Sequence, residues 1–469
     1  MIRRSCRWTH VAAAALLVFT MITSVPAAAA PPVPDPALLP PAGEAAPPAA
    51  TEQRNLCTAV VPIGDVPQMP HPQRSLDFAS VWPLTRGAGQ TVAVIDTGVA
   101  RHPRLPDPIP GGDYVSTGDG TDDCDAHGTL VAGLIAAQPV DGSGFAGGAP
   151  DVELITIRQS SRNFSDRTHR GDDETARNST GYGDVRTMAL AVRRAADLGA
   201  TVINISEVAC KPVSEVLGDG SLGAAVQYAT DIKDAVVVAA AGNISELCKP
   251  SNPAGADPLR PDADPWEHIT TLATPAWYDD YVLTVGSVEE DGVPSDYSLP
   301  GPWVDVAAPG SAVTSLDPDS GGSTDRYSGA NGPEPISGTS FAAPLVAATV
   351  ALVRARHPHL DARAVMDRVE STAHAPAEGW NPRVGHGVVD PLAAVTAPLP
   401  AQRELVFASV PLPAPTPVPP PDRRPRIVAL VASGAVCGAL VLAVLLSMPL
   451  RRRMRSFPPH PPARTDAGR

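Results

Sequence analysis

Residues 91–98, with the sequence TVAVIDTG, combine an apolar run with an abrupt polar end. A strand that is exposed on one face alternates apolar and polar residues, whereas a strand covered on both faces is apolar throughout. Because residues 92–95 show no alternation, we predict a buried strand in a parallel sheet with helices on both faces. Asp96 then stands at the carboxyl end of this strand, the edge at which such folds gather their active groups.

Apolar runs of the same kind recur along the chain and alternate with helical patterns. The predicted strands are residues 91–95, 153–157, 201–205, 235–241 and 282–285. The predicted helices are residues 129–137, 185–198 and 222–233, and a further helix begins near Ser340. Strands without polar alternation that are separated by helices indicate an α/β fold with a mostly parallel sheet.

The stretch ISGTSFAAPLV, residues 336–346, places a serine at the start of that last helix. The first four amide groups of a helix have no acceptor within the helix, so Pro344 is tolerated near its beginning. Ser340 then lies at the positive end of the helix dipole. The alternative interpretation is an ordinary N-cap serine, and this stretch alone does not decide between the two.

Three other polar residues stand at strand ends or helix starts, each within two residues of a glycine. Asp96 ends the first strand, His127 opens a helix, and Asn243 follows the fourth strand. With Ser340 they form the set that nucleophilic acyl transfer requires. Ser340 would attack, His127 would take its proton, and Asp96 would hold the imidazole. Asn243 would donate to the oxyanion. Each residue alone suits a cap or a turn, but their joint placement favours catalysis.

Five blocks of this sequence resemble the subtilisin-like serine proteases, the subtilase family. VAVIDTGV, HGTLVAG and SGTSFAAP resemble the family's Asp, His and Ser motifs in the family's order, VVVAAAGN its oxyanion block, and VINIS its substrate-groove strand. The resemblance covers residues 76–398. It implies a seven-stranded, mostly parallel sheet with helices on both faces and a serine endopeptidase activity without a cofactor. The substrate-binding residues it implies are Ser206, Ala240, Ala241 and Gly242.

The groove block departs from the family at one point. Many subtilases continue this strand with Ser-Leu-Gly, whereas Glu207 and Val208 follow Ser206 here. We expect the lost glycine and the added acid to change the shape and charge of the substrate subsites. A rival interpretation exists, because Asp-Thr-Gly at residues 96–98 is also the aspartic-protease signature. That mechanism needs a second such site, and the only other candidate, at residues 319–321, lacks apolar flanks, so we reject it.

The two ends of the chain indicate export and anchoring. A basic start, an apolar run and a small-residue exit describe a signal peptide at residues 1–29, cleaved after Ala27 or Ala29. Residues 427–450 carry no charge and are long enough to cross a bilayer. We predict that the body lies outside the cytoplasm, on the cell membrane. The remaining predicted segments are a proline-rich N-terminal extension (30–75), a proline-rich linker (399–426) and a cytoplasmic basic tail (451–469).

This architecture resembles the mycosins, the membrane-anchored subtilases of actinobacterial type VII secretion systems. The resemblance implies that the partners are the secretion system's membrane complex and exported polypeptides. It also implies that the N-terminal extension wraps the domain and is not an inhibitory propeptide, although its residues 31–50 are too proline-rich to be expected to pack. The alternative is a mainly structural subunit with dispensable proteolysis. A formal net charge of −14 argues against a nucleic-acid partner.

Four cysteines belong to the exported body: Cys57, Cys124, Cys210 and Cys248. The strands ending near residues 205 and 241 should be neighbours, and Cys210 and Cys248 each follow one of these ends by a few residues. We therefore predict the disulfides Cys210–Cys248 and Cys57–Cys124.

Two polar stretches complete the pattern. Residues 159–184 are predicted to form a long, exposed and mobile loop beside the substrate groove. The aspartates at 119, 122, 123 and 125 are predicted to form a solvated acidic loop without a metal ion.

Overall fold

The computed structural model describes residues 30–398, apart from 65, 67, 168–180, 246–247, 256–263 and 330, together with a few residues between 435 and 443. The predicted signal peptide, linker and basic tail, and most of the predicted span, lie outside the described residues. No helix among the described residues is long and apolar enough to cross a membrane.

The strands and helices of the described residues are labelled in chain order. The strands are β1 Thr51–Gln53, β2 Val60–Ile63, β3 Thr91–Asp96, β4 Ile109–Asp113, β5 Glu153–Arg158, β6 Phe164–Asp166, β7 Val202–Ile205, β8 Ala209–Pro212, β9 Val236–Ala240, β10 Thr271–Thr274, β11 Val282–Val288, β12 Val306–Pro309, β13 Ser315–Leu316, β14 Ser323–Gly329 and β15 Gly332–Pro335. The α-helices are α1 His71–Arg74, α2 Phe78–Val81, α3 His127–Ala136, α4 Val185–Asp197, α5 Gly220–Gln227, α6 Thr339–Arg356, α7 Ala362–Ser371 and α8 Pro391–Thr396.

Seven parallel strands form the central sheet in the order β12-β11-β9-β7-β3-β5-β4. Side chains of β3 alternate between two cores: Val92 and Val94 pack with α3 and α6 on one face, whereas Ala93 and Ile95 pack with α4 and α5 on the other. Both faces of the sheet are therefore covered, which is why the strands are apolar throughout. The predicted α/β fold with a seven-stranded parallel sheet is confirmed.

The two outermost strands of the sheet, β4 and β12, were not predicted from the sequence. β4 has the sequence IPGGD, with a proline and two glycines, and β12 has only four residues, VAAP. Neither carries the long β-branched run that marks a buried strand. Both occur at an edge of the sheet, where each pairs with one neighbour only, so the sheet tolerates their weak local preference.

The N-terminal extension packs against the domain. β1 pairs antiparallel with β6, and β2 pairs with β14. The expectation that residues 31–50 are too proline-rich to pack is wrong, because Pro34 and Pro40 are buried and Arg194 Nη1 donates to the Gly43 carbonyl at 2.9 Å. Proline lacks a backbone donor but still buries apolar surface, which is enough for a segment laid along the outside of a domain.

The structure contains both predicted disulfides, Cys57–Cys124 and Cys210–Cys248. The strand adjacency used to predict the second is also present, because β7 and β9 are parallel neighbours. Cys210 lies in β8, which pairs antiparallel with β10, so the bridge ties a peripheral two-stranded sheet to the loop that follows Asn243.

Replacing Cys210 and Cys248 together with serine is expected to lower the free energy of unfolding by about 2–4 kcal/mol, because the unfolded chain regains the freedom of a long loop. Chemical denaturation of the purified variant under oxidising conditions measures the loss. Serine at both positions of the Cys57–Cys124 pair is the matched comparison. An unchanged transition midpoint in the Cys210/Cys248 variant would contradict a stabilising role for this bridge.

Candidate active site

The carboxyl end of β3 brings Asp96 against the first turn of α3. The Asp96 side chain is fully buried, and its Oδ1 accepts a hydrogen bond from the Thr97 amide at 2.8 Å. His127 Nδ1 lies 2.6 Å from the same oxygen. With Asp96 ionised, Nδ1 is the donor, and Nε2 is left as the basic atom of the neutral ring. The His127 side chain is 15% exposed, so a substrate can reach it.

Asp123 holds these two residues at a fixed spacing. Its Oδ1 accepts from Thr97 Oγ1 and its Oδ2 from the Thr129 amide, both at 2.8 Å. Thr97 follows Asp96 in the chain, and Thr129 lies in the first turn of α3, so one carboxylate connects both segments. The pKa of Asp123 is raised to about 6, because burial raises it by more than the hydrogen bonds from Thr129 and Thr97 lower it.

Glycine allows the close approach of α3 to the end of β3. A Cβ on Gly128 would lie 1.9 Å from the carbonyl oxygen of Gly98. Any side chain at this position would therefore push the start of the helix, with His127, away from Asp96. This is the physical reason for the glycine that follows the histidine in HGTLVAG.

Ser340 is the second residue of α6, after the N-cap Gly338 and Thr339. Its Oγ donates to the Ser206 carbonyl at 2.8 Å, and Ser206 Oγ donates to the Ser340 carbonyl at 2.9 Å. The ring of Phe341, the next residue, has its centroid 5.1 Å from that of His127. The described residues show no hydrogen bond from Ser340 Oγ to His127, so the predicted proton transfer would require the hydroxyl to turn from the Ser206 carbonyl toward the imidazole.

Asn243 follows β9 and faces the start of α6. Its Oδ1 accepts from the Thr339 amide at 3.0 Å and from Thr339 Oγ1 at 3.2 Å. These two hydrogen bonds fix the orientation of the Asn243 side-chain amide and occupy its oxygen. Within the described part of the chain, the Asn243 Nδ2 group has no acceptor, so a donor beside Ser340 is left available for an oxyanion.

The other predicted substrate-binding residues line the same strand ends but are largely enclosed. Ser206, Ala240 and Ala241 are all at most 2% exposed. The Ala241 amide donates to the Val285 carbonyl at 2.9 Å, and the Gly242 amide donates to Thr339 Oγ1 at 3.2 Å. These backbone donors are therefore occupied inside the protein, and the substrate-binding role of the four residues stays a prediction.

The predicted solvated acidic loop is wrong for two of its four aspartates. Asp123 is engaged as described above. Asp125 is only 5% exposed and accepts from the Arg162 amide at 2.7 Å and from Asn163 Nδ2 at 3.2 Å. Donors on the neighbouring segment supply the hydrogen bonds that this carboxylate would otherwise make to water, so it can be buried. A run of acids in a sequence does not reveal which ones have such partners.

The predicted long loop is ordered where the structure describes it. The Ser161 amide donates to the Tyr182 carbonyl at 2.8 Å, and the Tyr182 amide donates back at 2.7 Å. β6 lies within this stretch, and its pairing with β1 uses the N-terminal extension as a partner. Residues 168–180 lie outside the described residues, so the mobility of the loop centre stays a prediction. The contacts of Asp125 place the start of the loop beside the site.

Sequence reasoning missed the residues that hold the site together, above all Thr339 and Asp123. The only signal for Thr339 is its place between Gly338 and Ser340. For Asp123 the signal is an acid four residues before His127. Both signals are local, whereas the partners, Asn243 and Thr97, are distant in sequence.

Opposing influences set the protonation of His127. Burial lowers its pKa, but the Asp96 carboxylate, its hydrogen bond and the nearby Glu207 together raise the pKa to about 9. The imidazolium ion that forms when His127 takes a proton is therefore well stabilised by these two acids.

We expect kcat/KM for a neutral peptide substrate to fall as the pH is lowered through about 9. His127 can accept the serine proton only when its ring is neutral, and the ring is protonated below its pKa. Initial rates measured from weakly acidic to alkaline pH test this. A profile that is flat across neutral pH would contradict it.

The subtilase family model matches residues 87–387. The chain is 51% identical to Mycosin-4 of Mycobacterium tuberculosis over 441 residues, which cover 92% of this chain and 93% of that protein.

Two solved structures are similar in fold. The crystal structure of MycP1 from Mycobacterium smegmatis has a TM-score of 0.73 and 43% identity, covering 79% of this chain and 96% of that one. A chain in the periplasmic assembly from the ESX-5 inner membrane complex has a TM-score of 0.74 and 45% identity, covering 84% of this chain and 99% of that one.

Proposed function

Since the chain belongs to the subtilase family and, within it, to the mycosins, we propose that it is a membrane-anchored serine endopeptidase of a type VII secretion system. A subtilisin-like serine endopeptidase activity follows from the family. The proposal adds the catalytic residues Asp96, His127 and Ser340, the oxyanion donor Asn243, and a place outside the cytoplasm. In that place the enzyme processes exported polypeptides and supports the membrane complex.

One observation carries the catalytic assignment. His127 lies 2.6 Å from Asp96, and its ring also contacts the ring of Phe341. Phe341 directly follows Ser340, so the Asp96–His127 pair lies beside the helix start that carries the serine. In the proposed reaction Ser340 Oγ attacks the scissile carbonyl and passes its proton to His127 Nε2. The oxyanion accepts from Asn243 Nδ2, and His127 returns the proton to the leaving amine. Water then releases the acyl group by the same steps in reverse order.

The location outside the cytoplasm rests on the ends of the sequence. A signal peptide at residues 1–29 would start export, and an apolar span at residues 427–450 would stop it and leave a basic tail inside. Two disulfides in the described body agree with an oxidising compartment.

The place in a secretion system rests on similarity. The chain resembles one from the periplasmic assembly of the ESX-5 inner membrane complex over 84% of its length. We propose that this protein binds an equivalent membrane complex. The same similarity favours the alternative function, in which the protein is mainly a structural subunit and proteolysis is dispensable.

Affinity purification of the tagged full-length protein from membranes, followed by identification of the proteins that co-purify, tests the partner. We expect membrane subunits of one type VII secretion system. Recovery of none of them would contradict the proposal. Repeating the purification with Ser340→Ala, together with a measurement of the exported proteins in the culture medium, separates the two functions. An intact complex with lost secretion indicates a need for proteolysis, whereas intact secretion favours the structural role.

A further inference from the structure

Glu207 lies directly beside the predicted nucleophile. It follows Ser206, whose carbonyl and hydroxyl are both hydrogen-bonded to Ser340 at 2.8 and 2.9 Å. One ligand atom each from Glu207, His127 and Asp96 lie within 4.8 Å of one another. The two bonds to Ser340 fix the backbone that carries Glu207, so its carboxylate is held at the reacting centre by the frame that holds the serine.

Glu207 differs from the other acids of the site in its lack of a hydrogen-bond donor among the described residues. Asp96, Asp123 and Asp125 each accept at least two hydrogen bonds. In the described part of the chain, Glu207 accepts no hydrogen bond and forms no ion pair. It is half-buried, at the position where many subtilases carry a leucine.

The surrounding charges leave this carboxylate unbalanced. His127 and Arg162 attract it, whereas Asp96 and Asp125 repel it, and burial raises the pKa of Glu207. Arg162 is exposed, and its side chain makes no ion pair with any described residue. A partly buried carboxylate without a donor is unfavourable, and a cation brought to it would remove the cost.

We propose that Glu207 determines specificity by binding a lysine or arginine side chain of the substrate, within about two residues of the scissile bond. This inference rests on the proposed catalytic role of Ser340 and His127. An extended peptide advances about 3.3 Å per residue, so a carboxylate this close to the imidazole is within reach of side chains only near the cleaved bond. An ammonium or guanidinium group would donate to Glu207 in a charge-assisted hydrogen bond that a neutral side chain cannot form.

The test uses the full-length protein purified in detergent and a set of matched peptides. The peptides are identical except at one position within two residues of the cleaved bond, which carries lysine, norleucine or glutamate. At one of these positions we expect kcat/KM for the lysine peptide to exceed that for the norleucine peptide on the order of tenfold to a hundredfold. The glutamate peptide should be the poorest of the three.

Substitutions then assign the preference to one side chain. Glu207→Gln should reduce the ratio of lysine to norleucine to near one, and Glu207→Lys should reverse the preference in favour of glutamate. Glu215→Gln, which removes an exposed acid whose Oε2 lies 3.5 Å from Lys211 Nζ, is the matched control and should keep the wild-type ratio. If Glu207→Lys fails to fold, the ratio measured with Glu207→Gln decides.

Three outcomes would overturn the proposal. The wild type shows no preference for a basic side chain, or Glu207→Gln keeps the preference, or Glu207→Gln slows all three peptides equally. In the last case the acid acts through His127 and is a positioning residue. Failure of the catalytic assignment looks different, because no peptide is cleaved and Ser340 does not react with a fluorophosphonate.

Discussion

Replacing Ser340 with alanine is expected to lower kcat by about 10⁶, the order of magnitude that loss of the serine or histidine has in subtilisin. The hydroxyl is the only atom of the set that forms a covalent bond to the substrate. Its removal leaves the oxyanion donor and the binding contacts, which retain a residual rate above that of water. Initial rates of peptide hydrolysis, measured at several enzyme concentrations, give the size of the loss.

His127→Ala should cause a loss of the same order, and the two substitutions together should cost about as much as either one, because the residues act as a unit. Ser80→Ala is the matched control, since Ser80 is half-buried and its hydroxyl forms a hydrogen bond only to the Asp77 carbonyl among the described residues. Thermal unfolding of each variant shows that the fold is kept. A harmless His127→Ala, or losses that multiply in the double variant, would contradict the triad.

Asn243→Ala is expected to lower kcat by about 10²–10³ with little change in KM. Asn243 Oδ1 is held by Thr339, so Nδ2 is placed for the charge that develops on the oxygen in the transition state. An interaction made only in the transition state affects kcat and leaves ground-state binding unchanged. Steady-state kinetics on one peptide measure both parameters.

Asn55→Ala, which removes an exposed asparagine side chain, serves as its control. A rise in KM at constant kcat would show that Asn243 binds the ground state, and its assignment as the oxyanion donor would be wrong. Thr339→Val provides a second comparison. It removes the hydroxyl that donates to Asn243 at 3.2 Å but keeps the backbone bond, so we expect a smaller loss of kcat than for Asn243→Ala.

The parts of this fold that could be predicted are those in which local sequence and tertiary environment agree. Residues 92–95 are apolar because both faces of β3 are buried, and the structure extends the predicted strand by one residue, to Asp96. The adjacency of β7 and β9 could also be predicted, because strands that follow one another in a parallel sheet tend to pair. The predicted Cys210–Cys248 disulfide depends on this adjacency.

The parts that could not be predicted depend on partners distant in sequence. In the sequence nothing separates Asp123 from an ordinary surface acid, and only the structure shows Thr97 and Thr129 around its carboxylate. Residues 31–50 have the composition of a spacer, yet they are held by Arg194, which lies more than a hundred residues further along the chain. Glu207 stood out as a departure from the family, but only the structure shows that its carboxylate lies beside His127 and Asp96.

Labelling with a fluorophosphonate, followed by peptide mapping of the adduct, tests the central assignment most directly. The reagent reacts with a serine only where a base and an oxyanion site activate it, so it reports on Ser340, His127 and Asn243 together. We predict a single adduct on Ser340 that is absent in Ser340→Ala and strongly reduced in His127→Ala. An adduct on another serine, or labelling that persists in Ser340→Ala, would contradict the assignment.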